Sequence, residues 1–500
     1  MPPRMVTGAL WMVLFKFLER SLGLISTLIL ARLLLPRDFG IVAMGTSLIA
    51  LTELFSAFGV DSALIQRRDV TVEHYNTAWT FNVMAGCLVG LLMAAVAVPA
   101  SQFYREPRLV LVIIALGASS VIQGLENVGV VNFRRDLQFD REFRYMLTKK
   151  LIGFVIAIPL AFLLRNFWAL VIGTLLSRLV ILANSYIAHP FRPKFSMAAS
   201  HDLMHFSKWM VASNLVSFLR ERPAEFIIGR TSGPQTLGIF SIATQVASMP
   251  STELVAPINR ALLPAYSRLA NDPAALGRQY ISVMGVISLL AVPAVAGLAA
   301  TAPFVILLVL GPKWREAISV LEVLAFYGVT QVLQTNAYSA FLALGKPDVF
   351  VRINGFHVTI LLTALFILVP TYGIHGAAWA YVISALIALP VNFTIITRFL
   401  GLRVLDLVFA VWRPLLAAAI MYLAVRFAGP ASSDSITTSL EAAAPLGIAI
   451  ALGAGVYVAS IALLWTLAGR PAGAESWLLA EANGLWIRLR GAIGQAKPRR

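Results

Sequence analysis

Two apolar runs of this chain carry ionisable side chains at helical spacing, and these are the residues with chemistry to offer. Lys16, Glu19 and Arg20 fall in the first run; Arg220, Glu221, Arg222 and Glu225 fall in a later one. Positions 16, 19 and 20 share a helix face by i,i+3 and i,i+4 spacing, and Glu221 and Glu225 are placed to do the same. Pro223 should break or bend its helix. Charges of both signs inside such runs face a wet protein interior rather than lipid. Their chemistry is recognition. Arginine's planar fork donates two hydrogen bonds at once to a phosphate-like anion, and a carboxylate beside it orients the cation or couples an ion. The competing readings are a neutralised or snorkelling ion pair for the first cluster and a salt bridge that holds one conformational state for the second. Glu53, Arg178, Glu253, Glu322 and His357 stand singly in other apolar runs. Each is a candidate proton or cation coupling site, and each also reads as a locally satisfied polar group.

Such groups need elements to hold them, and composition says what kind. Of 500 residues, 59% are hydrophobic and 13% charged, with a mean hydropathy of +0.80. Soluble domains carry roughly 25% charged residues, so lipid is the solvent this surface suits. A membrane-crossing helix needs about 20 mostly apolar residues. The runs predict an all-α membrane protein of about fourteen spans: 9–31, 41–60, 79–100, 109–130, 145–164, 167–187, 207–229, 237–258, 281–304, 317–343, 353–371, 374–397, 408–428 and 443–467. The region 281–310 is interrupted by Pro293 and Pro303. Gly86 and Gly90 give a small-xxx-small packing signal in the third span.

The net charge of +16 does not point to nucleic acid, because the basic residues sit in short loops between spans. Loops and adjoining span ends on one side hold 26 of the 40 Lys and Arg, those on the other hold 9, and the remaining five lie within spans. The richer side is expected to be cytoplasmic, which puts both termini there. The first run contains Lys16, Glu19 and Arg20 and lacks a small-residue cleavage site, so it reads as a retained span. Beyond residue 470, Trp477, Leu478, Leu479, Leu485, Trp486 and Ile487 could line one face of a basic interfacial helix. Cys87 is the sole cysteine, and neither a disulfide framework nor a metal site is expected.

The chain also repeats itself. Arg32, Pro36, Gly40 and Ile41 match Arg230, Pro234, Gly238 and Ile239 at one offset without a gap, and Asp140, Arg144, Ala169 and Asn184 match Asp348, Arg352, Ala377 and Asn392 at a second. Six spans per repeat give both copies the same orientation. That predicts two six-helix lobes, 1–200 and 201–403, related by an axis along the membrane normal with a cavity between them. Two additional helices (404–470) and a basic tail (471–500) complete the organisation.

The runs ARLLLPRDFGIVAM (31–44) and FGVDSALIQR (58–67) resemble the start of the bacterial polysaccharide and O-antigen flippases. These form the polysaccharide transporter branch of the multidrug/oligosaccharidyl-lipid/polysaccharide exporter superfamily. RPAEFIIGR (222–230), YSR (266–268), GPKWR (311–315) and ALGKP (343–347) continue the likeness in order over roughly residues 5–400. The resemblance implies alternating access in the bacterial inner membrane, moving an undecaprenyl-diphosphate-linked oligosaccharide to the outer leaflet in lipopolysaccharide or exopolysaccharide biosynthesis. Lys16, Glu19, Arg20, Arg220, Glu221, Arg222 and Glu225 would then line the central cavity and replace water around the diphosphate. The implied partners are the lipid-linked substrate, membrane lipids and the polymerase and export machinery; no cofactor is expected, and oligomeric state is not legible. Ser26 and Thr27 stand where members near the lipid II flippases carry an Arg-Asp pair, so a mechanism resting on that pair does not transfer. The competing classes are a cation-coupled multidrug exporter, a membrane polymerase or transferase, and a non-transporting scaffold. The absence of a GxxxxGK[ST] loop argues against ATP hydrolysis, and the short outer loops argue against a membrane enzyme.

Overall fold

The computed structural model describes residues 3–54, 64–65, 67, 69–201, 215, 217–429, 440–471 and 473–476. Among the described residues the regular structure is helical. The elements are α1 (Pro3–Leu33), α2 (Pro36–Glu53), α3 (Val72–Tyr104), α4 (Leu109–Gly124), α5 (Phe139–Leu164), α6 (Trp168–Ala188) and α7 (Pro223–Pro250). They continue as α8 (Ala256–Arg268), α9 (Pro273–Ala300), α10 (Ala302–Val309), α11 (Ala317–Ala343), α12 (Pro347–Leu400), α13 (Val404–Ala428) and α14 (Ala443–Leu467). Eight of these helices are long and apolar enough to cross a bilayer, nine if the bent pair Leu109–Gly124 and Val128–Arg135 counts as one. That measure does not return fourteen, for identifiable reasons. Lys16, Glu19 and Arg20 fill the middle of α1, and Arg37, Asp38 and Glu53 dilute α2. The 54-residue α12 holds two expected spans, joined where Gly373 adopts φ 56°. Part of the expected span 207–229 lies outside the described residues.

Breaks fall where backbone chemistry demands them. Pro36, Pro223, Pro273 and Pro347 occupy first helical positions, where no amide donor is needed. The backbone bends at Arg222 and resumes as helix at Pro223, as the proline predicts. The expected span 109–130 instead ends at Gly124, and the following segment turns away by 67°. Asn127, 1% exposed, causes that turn. Its Nδ2 donates to the carbonyls of His189 (3.1 Å) and Phe191 (2.8 Å), and its Oδ1 accepts from the Gly129 amide (2.9 Å). Burial pushes the adjacent His189 imidazole below the ordinary histidine value, aided by Arg141 and Arg192 and opposed by Asp136. Asn127→Ala is expected to lower stability by about 1–3 kcal/mol, the cost of unpaired buried polar groups. The check is thermal unfolding of the purified protein, where an unchanged midpoint refutes this role.

The chain divides into two compact units, Met1–Ser241 and Ile242–Arg500. In the first, α3 packs on α4, α5 on α6, and α1 on α5. The Gly86 and Gly90 signal marks the closest of these approaches: a Cβ at Gly86 would lie 2.6 Å from the Ser120 carbonyl oxygen, and one at Gly90 would lie 2.6 Å from Val121. In the second unit α9 packs on α11 and α13, and α11 on α12. A large apolar core from Val255 to Ala474 is pinned by Tyr266, whose hydroxyl donates to Asn336 at 2.6 Å. Outward-facing Leu91, Leu163, Phe366 and Phe427 are more than two-thirds exposed or nearly so, as a lipid-facing surface requires. Repeat-related residues behave alike in their own units: Arg144 pairs with Asp140 at 2.8 Å near the start of α5, and Arg352 with Asp348 at 3.2 Å at the start of α12.

Candidate functional site

On α1, Lys16 Nζ lies 2.6 Å from Glu19 Oε2, with both side chains partly exposed. Phe15, one residue earlier, is buried edge-on against Phe143 of α5, with ring centroids 6.3 Å apart. The helix therefore spends one face on packing and leaves Lys16, Glu19 and the exposed Arg20 off that face. Pairing with Glu19 lowers the cost of holding the Lys16 charge inside an apolar run.

The second cluster is arranged differently from the shared carboxylate face expected for Glu221 and Glu225. Because the helix breaks at Arg222, the two acids are not on one continuous helical surface. Glu221 is 60% exposed and pairs with Arg220 at 3.1 Å, whereas Glu225 is 13% exposed and accepts from Arg222 Nη1 at 2.8 Å. Each acid takes the arginine on its own side of the break. Glu225 Oε2 remains buried without a hydrogen-bond partner among the described residues, as does the Tyr104 hydroxyl at the end of α3. Tyr104 stacks on Phe226 with centroids 6.4 Å apart, so α3 and the start of α7 meet here.

The single candidates separate. Arg178 approaches Glu126 Oε1 at 3.6 Å while Lys149 Nζ bonds Glu126 Oε2 at 2.7 Å. Glu53 feels the charges of both Arg178 and Arg222, and it lines a cavity of about 300 Å³ with Glu126 and Lys149. Glu322 of α11 pairs with Arg426 of α13 at 3.3 Å, and buried His357 meets the Ser384 hydroxyl at 3.3 Å. Both are locally satisfied. Glu253 falls in the π-turn Ser251–Val255, and its side chain lies outside the described residues. Sequence reasoning singled out neither Glu126 nor Lys149 as a site residue. Neither sits at helical spacing from its partner, so only the lone acid at the end of an apolar run hinted at it.

Long helices that pair their charges and present apolar outer faces define a multi-pass helical membrane protein, and its fold is one already known. The inward closed structure of lipid II flippase MurJ covers 92% of this chain and 99% of its own, with a TM-score of 0.71 and 13% identity. The chain belongs to the polysaccharide biosynthesis protein family, whose sequence profile matches residues 29–319. Among curated relatives, the lipopolysaccharide biosynthesis protein WzxC of Escherichia coli K12 is 23% identical, with 82% of this chain and 84% of that protein covered. The succinoglycan biosynthesis transport protein ExoT of Rhizobium meliloti 1021 is 25% identical, over 63% of this chain and 64% of that protein.

Proposed function

We propose that this protein is a transporter, not a catalyst, and carries an oligosaccharide linked to a polyprenyl diphosphate from the cytoplasmic to the outer leaflet by alternating access. The observation that carries the reading is the self-neutralised charge inside the spans: Lys16 with Glu19, and Arg222 with Glu225. A diphosphate crossing about 30 Å of hydrocarbon must exchange its water for protein donors. Each cation then trades a carboxylate for a phosphate oxygen, and the freed acid repels the anion once it must leave. Membership of a polysaccharide biosynthesis family and the transport named for ExoT support the cargo and the activity. The lobes are those of the repeat, 1–200 and 201–403, with both termini cytoplasmic; the product emerges where a polymerase would take it up.

The test is a reconstituted transbilayer assay with labelled polyprenyl-diphosphate oligosaccharides, comparing wild type, Arg20→Ala and Arg222→Ala. Loss of one charge-assisted contact of about 1.5–3 kcal/mol predicts movement slowed by about 10- to 100-fold in each variant. Equal movement by all three removes the site assignment. Movement no faster than in protein-free vesicles, across several glycans, removes transport itself.

A further inference from the structure

The 300 Å³ cavity of the first unit opens between α3, α4 and α5, with Glu53 at the end of α2 contributing to its wall. Its polar lining includes Glu53, Asn82, Gln123, Glu126, Asn127 and Lys149, and its apolar lining is chiefly valines. The charges oppose any ionic ligand. An anion would meet two carboxylates, Glu53 and Glu126, while Lys149 is already committed to Glu126 at 2.7 Å. A cation would meet Lys149 and, behind Glu126, Arg178. What fits is a neutral molecule with many hydroxyls and one apolar face. Amide side chains donate and accept at the same time, which is what a sugar hydroxyl also does.

Two details sharpen the fit. Glu126 Oε1 is buried without a hydrogen-bond partner among the described residues, because Arg178 at 3.6 Å is too far to donate. Leaving such an oxygen unfilled costs about 1–3 kcal/mol, more for a charged group, so a small turn of the Glu126 carboxylate toward a ligand hydroxyl in the cavity is favoured. The cavity floor is also fixed in shape. A Cβ at Gly124 would lie 2.5 Å from the Asn82 carbonyl oxygen, and one at Gly86 2.6 Å from that of Ser120, so these helices cannot close further or be filled by larger residues. The volume equals about ten waters at ~30 Å³ each and lies at the small end of ligand pockets, ~300–1,000 Å³, the scale of one monosaccharide.

We infer that this cavity is a subsite for a single uncharged sugar ring of the transported glycan. The inference rests on the proposed function, with the cationic clusters taking the diphosphate and the cavity reading the sugar attached to it. On the proposed orientation the cavity lies toward the cytoplasmic ends of α3–α5, the side from which substrate loads.

The experiment measures binding of farnesyl diphosphate, alone and bearing glucose, galactose or N-acetylglucosamine, to the full chain in nanodiscs. Variants are Asn82→Leu and Gln123→Leu. At least one sugar-bearing lipid should bind ~10-fold more tightly than farnesyl diphosphate, as two or three added hydrogen bonds allow. Both variants should lose that advantage and keep wild-type affinity for bare farnesyl diphosphate, which also shows that they are folded. Equal affinity across the series, or an advantage that survives both substitutions, overturns the subsite and leaves a cavity that only holds water. Failure to bind any of these lipids overturns the headgroup reading along with it.

Discussion

Gly40→Ala is expected to lower the thermal midpoint of the purified protein sharply, and Gly238→Ala to do the same. A Cβ at Gly40 would fall 1.7 Å from the carbonyl oxygen of Pro234, and one at Gly238 would fall 1.8 Å from that of Pro36. The obstacle in each case is backbone, which cannot rotate aside as a side chain can. The only relief is to separate α2 from α7, forfeiting the packing around the contact. Overpacking of this kind costs about 1–3 kcal/mol and occasionally more, and a carbonyl at half the van der Waals distance belongs at the upper end. The sign is informative because glycine to alanine ordinarily stabilises a helix by about 1 kcal/mol. Gly455 of α14 has nothing within 4 Å of its Cβ position, so Gly455→Ala is the control and should leave the midpoint unchanged or raise it. Matching midpoints for Gly40→Ala and wild type would show that the two turns do not touch in the folded protein.

Loss of Glu475 should be at least as damaging, through charge instead of volume. Arg413 of α13 and Glu475, in the short turn after α14, form a two-pronged pair at 2.8 and 3.1 Å. Their side chains are 10% and 8% exposed. Trp465 Nε1 donates to the Pro471 carbonyl at 3.1 Å and Ala474 packs near Gly285, so this turn is folded against the second unit. Removing one member of a buried pair strands the other charge and typically costs 3–5 kcal/mol; Glu475→Ala should therefore reduce the melting temperature by several degrees. Arg413→Met combined with Glu475→Leu should recover most of the loss, since a well-packed apolar pair is often as stable as the ions it replaces. If the double variant is no better than Glu475→Ala, the charge is not what the site requires. The remainder of the expected interfacial helix, residues 477–500, lies outside the described residues.

Both predictions show how unevenly sequence and structure divide the information. Gly40 and Gly238 are visible as a repeat, since both stand four residues after a proline in matching turns. That they press against one another's prolines is not visible, because a repeat carries no statement about which copies touch. Asp140–Arg144 and Asp348–Arg352 stood out in the sequence only as a repeat, and the structure shows each to be a local i,i+4 ion pair. The spacing offered Glu221 and Glu225 a shared face, whereas the structure places a bend at Arg222 between them and gives each acid its own arginine. Arg413 and Glu475 are 62 residues apart, and no spacing rule links them.

By itself, then, the sequence determined the solvent and the material: long apolar runs whose backbone polar groups are satisfied only as helices, broken where proline and glycine remove a donor or permit a positive φ. It also determined which charges lie inside those runs. Only the tertiary structure decided how the charges pair, that Glu126 rather than Glu53 receives Lys149, and that α3 and α4 approach closely enough to frame a polar cavity. The physical reason is range. Hydropathy and helical phase are properties of neighbouring residues, whereas an ion pair in a low-dielectric interior is selected by distance and burial, and those exist only once the helices have packed.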